Sequence, residues 1–201
     1  MLITFEGIDG SGKSTQIHLL KEKLSNSGLT VQVFREPGGT ELSEKIRTLL
    51  LNPDIEIDSV TELLLFSSAR SRLVFEKVFP ALERGEIIIL DRFYDSTTAY
   101  QGYGRESLPL DQIQYINEIA SHNRAPDYTF YLRLDLEESN SRRAHMSKDR
   151  MEQAGEEFFT KVIHGFDELA KKESRFVVID ASQSIQSIHQ EIVNGLSKNI
   201  L

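Results

Sequence analysis

Apolar residues in this chain follow two alternating rhythms. Short runs rich in β-branched residues lie at 2–5, 30–34, 86–90, 128–134 and 176–179. They are continuous rather than alternating, as in strands buried on both faces. Between them apolar residues recur every three or four positions, which predicts helices over 13–27, 41–51, 59–84, 95–102, 110–122, 136–146, 153–173 and 184–199. Strands alternating with helices imply a parallel sheet covered on both faces, a doubly wound α/β fold. Gly85, Pro109, Pro126 and Ala181-Ser182 punctuate these elements, and no repeat, low-complexity segment or linker divides the chain. A single domain over 1–201 is therefore expected. In such sheets ligands gather beyond the carboxyl ends of the strands, so the residues just after each strand carry the chemistry.

After the first strand the chain reads Gly7, Ile8, Asp9, Gly10, Ser11, Gly12, Lys13, Ser14, Thr15, and then continues with Ile17, Leu19, Leu20 and Leu24 at helical spacing. Strand, G-x-x-x-x-G-K-S and helix together are the context of a P-loop. Glycines at 7, 10 and 12 free the backbone to turn successive N–H groups onto one anion, and the helix adds its own unpaired N–H groups and positive dipole end. Lys13 is expected to reach the β- and γ-phosphates of ATP, and the Ser14 hydroxyl to hold Mg²⁺.

The other strand ends extend this site. Asp91 ends the apolar run Ile87-Ile-Ile-Leu90, the position from which an acid orders Mg²⁺ in P-loop proteins. Arg92 follows and is a candidate phosphate clamp, with a surface salt bridge as the alternative. Arg35 precedes Glu36-Pro-Gly-Gly39 and could grip a second phosphate, or pair locally with Glu36 on a surface turn. Residues 142–150 place three arginines and a lysine within nine positions. They read as a lid that closes on ATP, or as a solvated helix face supported by Glu138 and Arg142 at i, i+4. Phe66 and Arg70 share one helix face, where a ring and a guanidinium could take a base by stacking and edge hydrogen bonds; core packing is the commoner fate of such a Phe.

Composition narrows the partners. The chain has 201 residues, 39 % apolar, enough for one sizeable core. Its net charge of −8 argues against a nucleic-acid polymer as main partner but allows a small anion in a local basic cleft. There is no Cys, and Met1 leads directly into a strand, so a cytoplasmic protein is expected. No apolar run approaches the ~20 residues that span a bilayer, so no membrane partner is expected.

Taken together, GIDGSGKST, FREPGGT, LLLFSSAR, LDRFYDSTTAYQG, RAPDYTFYL, the basic segment ending in DRME, and VVIDAS resemble the thymidylate kinase family of P-loop nucleoside monophosphate kinases over essentially the whole chain. The resemblance implies five parallel strands, a mobile helical lid over about 136–157, and a homodimer. It implies phosphorylation of dTMP to dTDP with ATP and Mg²⁺ by direct in-line transfer, in dTTP biosynthesis. By the same resemblance Phe66 stacks on thymine, Arg70 reads the base edge, and Arg35 and Arg92 hold the dTMP phosphate. Asp9 lies near the sugar 3′-hydroxyl, Thr97 at the base edge and Tyr100 against C2′. Position 93 is Phe where Tyr or His is frequent in the family. The P-loop lacks the arginine that some members carry, so the subtype is one that supplies the cation from the lid. Arg142, Arg143 and Arg150 are the candidates, with Arg142 and Arg150 foremost. Rival readings are a kinase for another small nucleotide and a nucleotide-operated binding switch, against which stands the absence of an N-K-x-D guanine-reading motif.

Overall fold

The computed structural model describes residues 1–145 and 149–196. Five strands, β1 (Leu2–Glu6), β2 (Val31–Arg35), β3 (Ile87–Asp91), β4 (Tyr128–Arg133) and β5 (Phe176–Asp180), pair in the order β2-β3-β1-β4-β5, all parallel. The strand carrying the P-loop is therefore central, with β3 and β4 beside it. Register aligns Phe5 with Asp91 and Asp91 with Arg35, so the three strand ends open on one edge.

Period-two alternation sorts the strand residues onto two cores. Ile3, Phe5, Ile87 and Ile89 pack on one face with Leu20, Leu24, Phe166 and Ile192, while Leu2, Ile88 and Leu90 pack on the other with Leu73, Val74, Val78 and Phe93. The covering helices are α1 (Lys13–Asn26), α2 (Glu41–Leu51), α3 (Ser59–Leu73), α4 (Phe79–Glu83), α5 (Tyr94–Thr97), α6 (Leu110–Ala120), α7 (Leu136–Arg142), α8 (Glu156–Lys172) and α9 (Ile185–Gly195). Among the described residues no helix is long and apolar enough to cross a membrane.

Several element ends differ from the sequence pattern. The run expected as one helix over 59–84 is α3, a π-helical turn at Val74–Val78 and α4, with Pro80 at the start of α4. The helix expected over 95–102 is α5 followed by a π-helical stretch at Thr98–Gly104. Hydrophobic spacing does not register a wider turn. The 153–173 helix is interrupted at Gly155, whose φ of 88° lies in the left-handed region; a short 3₁₀ turn, Glu152–Ala154, precedes it. Helix 136–146 ends at Arg142, and its expected last residue lies outside the described residues, as does 197–199 of the expected last helix. β2 and β3 each run one residue further than the apolar pattern, so Arg35 and Asp91 close their strands rather than follow them.

Candidate active site

The P-loop geometry follows from its glycines. Gly7 has φ of 131°, and a Cβ there would lie 2.5 Å from the Leu132 carbonyl oxygen on β4, so no side chain fits between the two strands. Gly12, at φ 90°, caps α1 without any side-chain acceptor, which leaves the first N–H groups of the helix pointing into the loop. Lys13 lies beneath it, its ammonium donating to the Gly7 and Ile8 carbonyls at 2.9 and 3.1 Å. Burial and the neighbouring Arg92 lower its pKa. Ser14 Oγ donates to Asp91 Oδ2 at 3.4 Å, which brings together the hydroxyl and the carboxylate expected on the metal. These groups line a cavity of about 340 Å³ whose far wall is Arg35, Glu36, Arg47 and Arg92.

A second cavity, of about 180 Å³, adjoins the first. It is lined by Phe66, Arg70, Phe93, Thr97, Tyr100 and Gln101, and shares Asp9, Glu36, Arg47 and Arg92 with the phosphate cavity. Arg92 stands at the junction. Its guanidinium donates to Asp9 Oδ1 at 2.8 Å, to the Gly7 carbonyl at 3.0 Å and to Ser96 Oγ at 3.2 Å, and lies 5.0 Å from the Tyr100 ring centroid. Asp9 is partly buried, which alone would raise its pKa; the cations of Arg92 and Lys13 hold it well below the usual carboxylate range. The Tyr100 hydroxyl is buried and meets no hydrogen-bond geometry among the described residues, although the Arg92 guanidinium lies close by, and burial keeps it protonated at any ordinary pH. Its ring is fixed edge-on by Phe158, Phe159 and Phe166.

Arg70 is almost fully buried and fully braced. Nε donates to Glu36 Oε2 at 2.7 Å, and the terminal nitrogens reach Asn117 Oδ1 and the Phe93 carbonyl. Glu36 is thus committed to Arg70, and Arg35, for which the local alternative was Glu36, pairs instead with Glu44 at 3.0 Å. Phe66 is half-buried. It lines the second cavity and also packs against the Ile46, Leu50 and Ala69 cluster.

The basic segment divides. Arg142 donates to Glu138 at 2.8 Å, the pair expected one turn apart, and also to the Gly10 and Ala181 carbonyls at 3.2 and 3.0 Å. Arg143 pairs with Glu152, and its Cγ and Cδ lie against Gly10. Arg150 turns away from the P-loop, donating to the Leu50 carbonyl at 2.7 Å and to buried Glu62 at 2.7 Å. Residues 146–148 of the cluster, including its lysine, lie outside the described residues.

Several residues of this site escaped sequence reasoning. Arg47 faces both cavities and donates to the Pro37 carbonyl at 3.0 Å, yet on an amphipathic helix it reads as one more solvated cation. Gln101 donates to Glu62 at 2.8 Å from a π-helical stretch whose facing no period predicts. Among the described residues no group of three or more His, Asp or Glu could by itself hold a metal. A hydroxyl and one carboxylate beside a phosphate cradle nevertheless suit Mg²⁺, which takes few protein ligands and completes its shell with water and phosphate oxygens.

Comparison with known proteins agrees with this geometry. Residues 5–192 match the family model described as thymidylate kinase. The chain is 44 % identical over 197 residues to the thymidylate kinase of Thermoanaerobacter sp. (strain X514), covering 98 % of this chain and 97 % of that protein. It is 49 % identical over 207 residues to the thymidylate kinase of Chlorobaculum parvum (strain DSM 263 / NCIMB 8327), covering 98 % and 95 %. The crystal structure of thymidylate kinase from Ehrlichia chaffeensis superposes with a TM-score of 0.79 at 38 % identity, over 96 % of each chain.

Proposed function

Since this chain belongs to the thymidylate kinase family, we propose that it transfers the γ-phosphoryl group of ATP directly to the phosphate of dTMP, giving dTDP and ADP. One observation carries the reading: a phosphate cradle and a nucleoside-lining cavity meet at Arg92. A donor and an acceptor bound in the two cavities bring their phosphates together at a guanidinium.

The acceptor needs no general base. A phosphate monoester has a second pKa near 6, so its attacking oxygen is already largely ionised at neutral pH. What the protein must supply is in-line positioning and positive charge around the migrating group. Lys13 and the α1 N-terminus hold the donor phosphates, Arg92 and Arg35 the acceptor phosphate, and Arg142 and Arg143 add cations over the loop. Phe66, Arg70, Thr97 and Tyr100 hold the thymidine, with Asp9 at the sugar. Ser14 and Asp91 would hold Mg²⁺, which neutralises phosphate charge when bound. The segment over about 136–157 acts as the lid of a single kinase domain. The exposed apolar residues Leu64, Phe75 and Ile119, which border one groove, form the homodimer face.

An ADP-coupled assay across dTMP, dUMP, UMP, dCMP and dGMP tests the assignment. Turnover should be highest with dTMP. Faster turnover on another monophosphate would reassign the acceptor, and ADP release independent of any monophosphate would make the protein a nucleotide switch.

A further inference from the structure

The last residue of β1, Glu6, is fully buried under the site and has no part in the assignments above. Carboxylates are almost never wholly buried unless paired with a cation. Both oxygens of Glu6 are taken by neutral donors: Oε1 accepts from the Phe93 amide at 2.8 Å and Oε2 from Ser96 Oγ at 2.6 Å. Burial, reinforced by the charge of Asp95, pushes its pKa up, while these hydrogen bonds and the charge of Arg92 pull it down. An apolar residue ending β1 would be the cheaper choice for the fold.

The two donors flank Arg92, and Arg92 has a left-handed backbone, φ 71°. For a non-glycine residue that conformation is strained and persists only where the surroundings impose it. The Arg92 amide donates to the Phe5 carbonyl at 3.0 Å, and the next amide is the one fixed by Glu6. The Ser96 hydroxyl donates its hydrogen bond to Glu6 and so turns a lone pair toward Arg92, whose NH1 donates to it at 3.2 Å. Three of the five guanidinium N–H groups are thereby bound by Gly7, Ser96 and Asp9, and among the described residues the other two stay open for a ligand's oxygens.

We propose that Glu6 is a positioning residue for the reaction: through the Phe93 amide and the Ser96 hydroxyl it holds the turn after β3 and aims the Arg92 guanidinium at the acceptor phosphate. The proposal rests on the reading of Arg92 as the clamp on that phosphate. Glu6 itself touches no substrate, and its influence passes entirely through Arg92.

The test is a double-mutant cycle on purified full-length enzyme. Glu6→Gln keeps shape and an acceptor for Phe93 but offers Ser96 a donor. It should raise KM for dTMP and lower kcat/KM by about 10- to 100-fold, the range for residues that orient a working side chain, with KM for ATP little changed. Ser96→Ala should do the same and Ser96→Thr should restore most of the loss. In an Arg92→Ala background, Glu6→Gln should add almost nothing. A full-sized effect of Glu6→Gln in that background overturns the proposal, as does a Ser96→Ala enzyme with dTMP parameters within twofold of wild type. Where Glu6→Gln fails to fold, the Ser96 pair decides alone. Arg92→Ala alone tests the underlying reading: unchanged dTMP kinetics in that variant would remove the clamp, whatever Glu6 does.

Discussion

Arg143 packs its side chain directly on Gly10. A Cβ at position 10 would lie 3.2 Å from Arg143 Cδ and 3.3 Å from the Ser139 carbonyl oxygen, and the residue's φ of 82° disfavours any side chain. The P-loop is therefore bare at the point where the basic segment covers it. Arg142 touches the same residue through its carbonyl, whereas Arg150 is held by Glu62 and Leu50. Arg143→Ala or Arg142→Ala should lower kcat by ~10³-fold, on the scale of arginine fingers, with dTMP affinity falling far less. Arg150→Ala should act on stability, because Glu62 is almost fully buried and among the described residues would keep Arg105 and Gln101 as partners. Steady-state kinetics with thermal melts separate the two. A 10³-fold kcat loss confined to Arg150→Ala would invert this division.

Lys13 and Asp91 should be indispensable for a different reason. One carries charge under the phosphate cradle and the other, with Ser14, would fix the metal. Lys13→Ala and Asp91→Ala should each remove nearly all transfer while the circular dichroism spectrum stays that of wild type. Substantial activity in either would dislodge the phosphate cavity as the site.

The fold and the phosphate half of the site were legible because their signals are local. A strand, a glycine pattern and a helix in register need no tertiary information, and β3 ends in its acid where the apolar run ends. The nucleoside half was legible mainly through resemblance to a family. Gln101 meets Glu62 across a π-helical stretch and α3, and Arg47 of α2 lines the same cavity as Gln101, a convergence that no spacing within one element encodes. Glu6 did leave a trace, a charged residue closing an apolar strand, but the same pattern marks any strand that ends at the surface. Of the two readings of Arg35, the local pair with Glu36 does not form, because Glu36, its neighbour in sequence, turns inward to Arg70 and Arg35 meets Glu44.

Tyr100 should set the choice of sugar by shape. Its ring is held edge-on by three phenylalanines, and its neutral hydroxyl meets no hydrogen-bond geometry among the described residues. A ribose 2′-hydroxyl against that ring would need both room and a hydrogen bond. Tyr100→Phe should discriminate nearly as well as wild type, and Tyr100→Ala should accept ribothymidine monophosphate better. Truncating a buried aromatic costs about 3–5 kcal/mol of stability, so the quantity to compare is the deoxy-to-ribo ratio of kcat/KM. An unchanged ratio in the alanine variant would leave Tyr100 a purely structural ring.

Asp9 sets burial against charge, and pH tells which prevails. Burial alone would raise its pKa, making the folded state hold a proton and lose stability as pH rises from about 4 toward neutrality. The cations of Arg92 and Lys13 instead depress the pKa below its ordinary 3.8. A depressed carboxylate contributes stability that is complete above the unfolded pKa and disappears only as pH falls through the folded value. The melting-temperature difference between wild type and Asp9→Asn should therefore stay constant from pH 8 to pH 5, with wild type the more stable, and shrink only below about pH 4. Titrating groups remote from Asp9 cancel in the difference. A gap that narrows steadily as pH rises from 5 to 8 would mean that desolvation dominates, and that the ion pair with Arg92 is too weak to hold that guanidinium beside the P-loop.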